Sequence, residues 1–192
     1  VIAGGGAAGF FASITCAEAS PGARILILEK AHRVLGKVKI SGGGRCNVTN
    51  GCLDPHELHT FYPRGSKQLL GPFHRWGPAE TMAWFEDHGV PLKIEADYRV
   101  FPQSDKSQTI INCLTHAANK GKIEVRKQTE VTGASMDKEG WFVIAVKNGE
   151  PLRARHLILT LGGIRNSIGA SIATKFGHRI QPAAPSLFTF KI

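Results

Sequence analysis

The sequence predicts an α/β fold in which a parallel sheet with packed helices is accompanied by a three-stranded antiparallel meander. Three observations lead to this prediction. Val1–Ala3, a glycine turn, a helical segment and the apolar run Ile25–Leu28 follow one another within 29 residues, and that order makes a βαβ unit. A second apolar run, Leu157–Leu161, is typical, like the first, of a strand buried on both faces of a parallel sheet. Three alternating segments separated by turn residues lie before it.

The elements of the first half follow from periodicity and from breaking residues. A helix is predicted over Ala7–Ala19, where apolar residues recur at near-helical spacing, and Ser20-Pro21-Gly22 ends it. Residues 31–52 are rich in Gly, Lys and small polar groups, and they are predicted to form a long loop of the kind that is usually functional. Further helices are predicted over Pro78–His88 and after Ser104.

The second half predicts a meander. Its strands are expected at Val131–Met136, Trp141–Lys147 and Leu152–His156. The segments Asp137–Gly140 and Asn148–Glu150 carry the Asp, Asn and Gly residues that tight turns favour. We therefore expect three consecutive antiparallel strands.

Composition excludes several classes of protein. The chain has 192 residues, 42% of them hydrophobic and 20% charged, so it is not a disordered polyelectrolyte. No apolar run reaches the ~18–20 residues of a membrane span. The four cysteines lack the paired spacing of a zinc site and are too sparse for a disulfide scaffold, so no metal is expected and a reducing, cytoplasmic compartment is predicted.

The net charge of +9 is concentrated at the two ends of the chain, and residues 1–50 contain six basic and two acidic side chains. Residues 151–192 contain six basic side chains and no acidic one. Such an excess favours an anionic ligand or nucleic acid. The alternative is that acidic sequence elsewhere in a longer protein balances it.

The glycine turn, Gly4–Gly9, has the spacing GxGxxG between a predicted strand and a predicted helix. The first glycine permits a tight turn, the second lets a pyrophosphate approach the backbone, and the third lets helix and strand pack closely. Glu29 follows 20 residues after Gly9, at the end of the next strand, where a carboxylate accepts hydrogen bonds from ribose hydroxyls. The alternative is a turn that serves packing alone. The predicted dinucleotide contacts here are Gly4, Gly6, Ala7, Ala8, Gly9, Glu29 and Lys30.

A second glycine-rich segment, the glycine loop Ser41–Asn50, contains one guanidinium among small polar residues. Its backbone N–H groups can form an anion nest, and Arg45 can add a bidentate phosphate contact. An untethered loop is the alternative. Cys46 lies beside Arg45, in a setting that can lower the pKa of a thiol. Packing is the predicted role of Cys46, and a reversible disulfide with Cys52 is the alternative. The predicted contacts in and before this loop are Gly36, Gly43, Gly44, Arg45, Asn47 and Thr49.

Six blocks of the sequence resemble one family of flavoproteins. They are Gly4–Gly9, Leu28–Lys30, Ser41–Asn50, Tyr98–Lys106, Leu159–Gly163 and Gly177-His178 with the prolines that follow. Together they resemble the two-dinucleotide-binding, FAD-dependent oxidoreductases often labelled aminoacetone-oxidase-like or BaiN-like, and the likeness covers essentially the whole chain.

The resemblance implies FAD as the cofactor, with its ADP half at the glycine turn and Glu29. It places the glycine loop along the pyrophosphate and flavin, gives the backbone of Val131 to the adenine, and adds Thr160 and Gly162 from the third block. It also implies a small-molecule substrate and either a nicotinamide, NAD(P)H, or dioxygen as second redox partner. No catalytic acid or base is identified in the sequence, and the oligomeric state is left open.

The chain departs from the family pattern in two respects. The family has a longer loop, with a Gly-Asp-Gly-Tyr stretch, where this chain has only Ile164–Phe176, and it has about twice the length. We therefore expect an N-terminal fragment, with a dinucleotide-binding domain over 1–185 and the start of an inserted substrate domain at 186–192. Two rivals remain: an RNA-modifying flavoprotein, although no RNA-binding element is recognisable and nucleic acid is not the expected partner, and a fragment without catalytic activity.

Overall fold

The computed structural model describes residues 1–163 and 168–182. Its contacts divide the chain into two units. The sheet unit contains Val1–Gly36 and the described residues from Leu114 on, and the inserted unit contains Lys37–Cys113. The predicted boundary at 185/186 and the expected start of a substrate domain over 186–192 lie outside the described residues.

The described residues form nine strands and seven α-helices. The strands are β1 (Ile2–Ala3), β2 (Leu26–Leu28), β3 (Leu92–Ile94), β4 (Val100–Pro102), β5 (Glu124–Arg126), β6 (Val131–Met136), β7 (Phe142–Val146), β8 (Leu152–Ala154) and β9 (Ile158–Leu159). The helices are α1 (Ala7–Ala19), α2 (Gly36–Ile40), α3 (Pro55–Leu58), α4 (Ser66–Arg75), α5 (Pro78–Asp87), α6 (Ser107–Lys120) and α7 (Ile168–Lys175).

The sheet unit is built on a four-stranded parallel sheet in the order β5-β2-β1-β9. Ile2 lies opposite Ile27 on one side and Ile158 on the other. The side chains of Ile2 and Ile27 are buried, as the apolar runs predicted. The α/β fold with a parallel sheet is thereby confirmed, and β1, which leads into the glycine turn, lies inside the sheet.

The predicted meander is also confirmed. Strands β6, β7 and β8 pair antiparallel in chain order. Ile144, at the centre of β7, is fully buried and belongs to a core cluster that includes Ala3 and Leu28 of the parallel sheet. Ile172 of α7 belongs to the same cluster. The segment Ile164–Phe176 was expected to be only a shortened loop. It contains helix α7, and the burial of Ile172 in this core explains why a helix forms there.

The inserted unit is organised around the antiparallel hairpin β3–β4, in which Val100 and Phe101 are completely buried. The chain before α3 runs beside β4, since the N–H of Val48 donates to the carbonyl of Val100 at 2.8 Å. Residues 31–52 are not the continuous loop predicted: they contain α2 and a 3₁₀ turn over Ser41–Gly44. Helices α3 and α4 were not predicted either.

No helix in residues 1–163 and 168–182 is long and apolar enough to cross a membrane.

Candidate functional site

Two glycines of the glycine turn are required by close packing. Gly4 has a φ of +114°, and a Cβ added there would lie 2.3 Å from the carbonyl oxygen of Thr160. A Cβ on Gly9 would lie 2.0 Å from the carbonyl oxygen of Gly4. Both distances are impossible for carbon against oxygen. Glycine at these two positions allows strand β1, helix α1 and the chain after β9 to pack closely.

Gly6 has a different environment. It is the N-cap of α1, with an ordinary φ of −86°, and a Cβ added there would meet no heavy atom within 4 Å. Ala7 and Ala8, the first helical residues, are exposed, and the first turn of α1 has no acidic side chain. Among the described residues, no side chain caps the first N–H groups of this 13-residue helix, so these groups and the positive end of its dipole border the open space at Gly6. This arrangement fits a diphosphate group.

The Glu29 carboxylate is held by the backbone. Its Oε2 accepts a hydrogen bond from the N–H of Gly5 at 2.8 Å, and its Oε1 accepts one from the N–H of Ala31 at 2.8 Å. A carboxylate has about four acceptor positions, so one on each oxygen is left for ribose hydroxyls. The neighbouring Lys30 is exposed. Sequence reasoning gave Glu29 only the ligand role; the structure adds that it closes the glycine turn.

Thr160 also lies at the glycine turn. Its hydroxyl Oγ1 is 2.9 Å from the carbonyl oxygen of Ala3 and 3.0 Å from that of Gly4, and it donates to this pair. Gly162 follows with a φ of +87°. Val131, the first residue of β6, has its side chain in the core. The structure thus brings Thr160 to the turn, while the cofactor contacts of Val131 and Gly162 stay predictions.

The glycine loop lies in the inserted unit and has a left-handed backbone. Gly42, Gly43 and Gly44 have φ values of +55°, +67° and +87°. A Cβ on Gly42 would lie 2.8 Å from the Phe101 ring, whereas one on Gly43 or Gly44 would meet nothing within 4 Å. Gly42 is therefore required for packing, and Gly43 and Gly44 border open space. Gly36, which belongs to the sheet unit, is equally open.

The other polar residues of the glycine loop tie it to β4. The N–H of Val100 donates to Oδ1 of Asn47 at 3.1 Å and to the carbonyl of Thr49 at 3.2 Å. Asn47 and Thr49 were predicted as ligands of the cofactor. In the structure they hold the loop against the hairpin, and their contact with a cofactor stays a prediction.

Arg45 has protein partners that the sequence did not reveal. Its Nη1 donates to Oε1 of Glu95 at 2.6 Å and to Oδ1 of Asp105 at 3.4 Å. Its guanidinium lies 3.8 Å from the centroid of the Phe101 ring. A hydrogen bond from Lys93, followed by that from Arg45, keeps the pKa of Asp105 below its usual value. Phe101 and Asp105 are within the Tyr98–Lys106 block, but nothing in the sequence marked Glu95.

The structure supports the packing role of Cys46 and not the alternative of a lowered thiol pKa. Its side chain is buried, and burial raises the pKa of the thiol instead of lowering it. Cys52 is also buried with a raised pKa, again first because of burial. Both are free thiols, which supports packing as their role. In the part of the chain that the structure describes, no group of three or more His, Cys, Asp or Glu is placed to hold a metal ion.

Residues 1–185 match the family model described as the HI0933-like protein Rossmann domain. The chain belongs to this family. The resemblance found from the sequence blocks is thereby confirmed, as is the Rossmann type of the α/β fold.

Two curated relatives of this HI0933-like domain are named for different activities. The chain is 28% identical to the 3-dehydro-bile acid delta(4,6)-reductase of Clostridium scindens, over 100% of this chain and 47% of the relative. It is also 28% identical to the ribosomal RNA dihydrouridine synthase of Escherichia coli, over 100% of this chain and 48% of that protein. The chain spans about half the length of these relatives.

Solved structures share the fold at lower identity. A 3-ketosteroid-delta4-(5alpha)-dehydrogenase from Rhodococcus jostii matches with a TM-score of 0.64 and 22% identity, over 82% of this chain and 44% of the other. The Escherichia coli quinol fumarate reductase FrdA matches with a TM-score of 0.62 and 17% identity, over 84% and 32%. These likenesses show that the HI0933-like domain has a fold used by oxidoreductases.

Proposed function

We propose that this HI0933-like domain binds FAD and forms the cofactor-binding part of a flavin-dependent oxidoreductase. The observation that carries the proposal is the pairing of an open helix N-terminus at Gly6 with a Glu29 carboxylate that two backbone N–H groups hold in place. These are the groups that a diphosphate and a ribose require.

The residues of this chain have binding and orienting roles in the proposal. The backbone of Gly6, Ala7 and Ala8 receives the diphosphate, and Glu29 receives the adenosine ribose. Gly43 and Gly44, whose α-carbons border open space, allow close approach of the pyrophosphate and flavin portion. FAD, when bound, supplies hydride-transfer chemistry, which the protein directs by orientation and by exclusion of water.

The names of the curated relatives support one reaction class. A delta(4,6)-reductase and a dihydrouridine synthase both add hydrogen to an unsaturated ring. We infer that the whole protein reduces such a ring in a small-molecule substrate, with a reduced nicotinamide as the electron donor that returns the flavin to its reduced form. Dioxygen accepts electrons, so it would fit only an oxidative reaction. A reducing, cytoplasmic compartment also stays a prediction.

A ribosomal RNA base is the second candidate substrate. Two relatives named ribosomal RNA dihydrouridine synthase, from Escherichia coli and Haemophilus influenzae, match nearly the whole chain at 28% and 26% identity. The net charge of +9 favours the same alternative.

The experiment for FAD is a titration with three ligands. The purified chain should bind FAD and ADP with comparable affinity and should not bind FMN, because the predicted contacts recognise an adenosine diphosphate that FMN lacks. Flavin fluorescence follows FAD, and ADP is added as a competitor. Heat-released flavin from the full-length protein should be FAD by chromatography. Recovery of FMN alone would contradict the proposal.

A further inference from the structure

Arg45 is the only guanidinium of the glycine loop, and its fork is already engaged. Nη1 and Nη2 donate to the two oxygens of Glu95 at 2.6 and 3.4 Å, so the bidentate contact expected for a phosphate is made with a carboxylate. The guanidinium also covers one face of the buried Phe101 ring.

The surroundings of Arg45 are electrically balanced. Salt bridges join three cations to three carboxylates: Arg45, Lys93 and Arg99 on one side, and Glu95, Asp97 and Asp105 on the other. A phosphate site usually carries an excess of positive charge or free donors. In this cluster the cations and carboxylates are equal in number, and three of the five N–H donors of Arg45 are directed at carboxylates.

The same contacts fix a backbone that is costly to maintain. Four of the five residues from Gly42 to Cys46 have positive φ, and Cys46, at +65°, is not a glycine. Glycine adopts positive φ without steric cost, so the strained residue is Cys46, and such a residue persists where the surrounding structure holds it from several directions. Three contacts hold this turn. Gly42 packs closely against the Phe101 ring, and the Arg45 guanidinium stacks on the same ring. Asn47 Oδ1 accepts a hydrogen bond from the N–H of Val100.

We propose that Arg45 is a positioning residue: the clasp formed by Arg45, Glu95, Asp105 and Phe101 holds Gly43 and Gly44 in the conformation that receives FAD. The inference rests on the proposed function. It replaces the direct Arg45–phosphate contact expected from the sequence. It also assigns a role in cofactor binding to Glu95, an acidic residue that would otherwise only repel a diphosphate.

The two roles of Arg45 predict opposite effects of removing Glu95. If Arg45 is a phosphate ligand, Glu95→Ala frees its guanidinium and removes a negative charge, so FAD should bind equally well or more tightly. If Arg45 is part of the clasp, Glu95→Ala and Arg45→Ala should each weaken FAD binding, roughly 5- to 30-fold. The double variant should be little worse than either single variant, because both remove one interaction. Arg45→Lys should fall between wild type and Arg45→Ala, since Lys offers no planar fork.

A second readout needs no cofactor. In the ligand-free chain, amide hydrogen exchange of residues 43–46 should become faster in Glu95→Gln and in Arg45→Ala. Glu124→Gln is the matched control, because it removes an exposed ion pair with Arg126 in the sheet unit and should leave this exchange unchanged. Circular dichroism verifies that each variant is folded.

The outcomes separate the two proposals. Unchanged exchange at 43–46 in Glu95→Gln, or FAD binding by Glu95→Ala that is unchanged or tighter, would overturn the clasp. Failure of the wild-type protein to bind FAD would overturn the proposed function, and the exchange experiment would still decide whether the clasp orders the loop.

Discussion

The glycines of the GxGxxG turn divide two tasks between them. Gly4 and Gly9 are required by neighbouring backbone oxygens, whereas Gly6 faces open space. The motif already assigned a tight turn to Gly4, pyrophosphate approach to Gly6 and close packing to Gly9. It could not reveal which atoms require glycine at Gly4, because Thr160 is far away in the chain. Substitutions at Gly9 and Gly6 should therefore have different consequences.

We expect Gly9→Ala to destabilise the fold and Gly6→Ala to weaken ligand binding. The Gly9 methyl group would overlap the Gly4 carbonyl, which costs at least the roughly 1–3 kcal/mol of an overpacked core. The Gly6 methyl group meets no protein atom, and the weaker N-cap costs about 1 kcal/mol at most. Urea denaturation without ligand and FAD titration measure the two effects. Gly22→Ala, in an open turn, is the control. Equal stability of Gly9→Ala and wild type would contradict the packing argument.

Glu29 should be sensitive to loss of either charge or size. Glu29→Ala removes the acceptor of the buried Gly5 N–H as well as the ribose contacts, and we expect FAD binding to weaken by roughly 1–3 kcal/mol. Glu29→Gln should cost less, because its single carbonyl oxygen can still accept from Gly5 while its NH₂ faces the exposed Ala31. Retention of FAD through dialysis, as in wild type, by both variants would refute the ribose role.

Among the elements, the β6–β7 turn depends on one carboxylate. Asp137 Oδ1 accepts hydrogen bonds from the N–H groups of Glu139 and Trp141, both at 3.0 Å, and Oδ2 accepts two from Arg153. The Trp141 N–H, ahead of Arg153, lowers the pKa of Asp137. The turn sequence predicted a hairpin here, but not that the same side chain would bind β8.

Asp137→Ala should lower the unfolding midpoint more than Asp137→Asn does. The Asn side chain keeps an oxygen for the two backbone N–H groups and loses mainly the exposed ion pair, which contributes little. Because the folded-state pKa lies below the unfolded value of about 3.9, the stabilisation by Asp137 is present above that pH and is lost as the pH falls through the folded-state pKa. Thermal unfolding at pH 7 and pH 3 measures this, and a wild-type advantage undiminished at pH 3 would contradict the assignment.

The success of element prediction followed the strength of the local signal. Apolar runs and turn residues located the parallel strands and the meander, since buried strands and tight turns place direct demands on residue type. Helix α4 was missed because Gly71 and Pro72, ordinarily helix breakers, lie inside it. Helix α7 was missed although Ile168 and Ile172 are four residues apart, as on one face of a helix. The segment was instead interpreted as a shortened loop of the family pattern.

At the scale of the whole molecule, the residue types of the site were predicted better than the contacts between those residues. Residue types such as Gly4, Gly6, Gly9 and Glu29 follow from short motifs. The pairings Thr160–Gly4 and Arg45–Glu95 join residues 156 and 50 positions apart, so no local pattern contains them. The latter pairing is the basis of the proposal that Arg45 is a positioning residue.

The excess of basic residues gives a test between the two substrate classes. If ribosomal RNA is the substrate, the affinity of the full-length protein for that RNA should fall steeply with salt and should exceed its affinity for unrelated RNA. We expect instead weak, sequence-independent binding, in line with a small-molecule substrate. Filter binding at several salt concentrations, with ADP binding as the control for an intact domain, measures it. Tight binding specific to ribosomal RNA would favour the second candidate.

The position of β1 between β2 and β9 has a consequence for synthesis on the ribosome. Strand β1 obtains its second neighbour only when residues 158–159 emerge, and the Gly4 turn is closed by Thr160 at the same stage. At roughly 5–20 residues per second, β1 waits on the order of 10–30 s with one edge unpaired. We expect nascent chains stalled before Ile158 to leave the Gly4 turn open to protease, and chains stalled well beyond Thr160 to protect it. Cofactor loading would then be a late event in the life of each new polypeptide, and chaperones would have to shield that apolar edge until then.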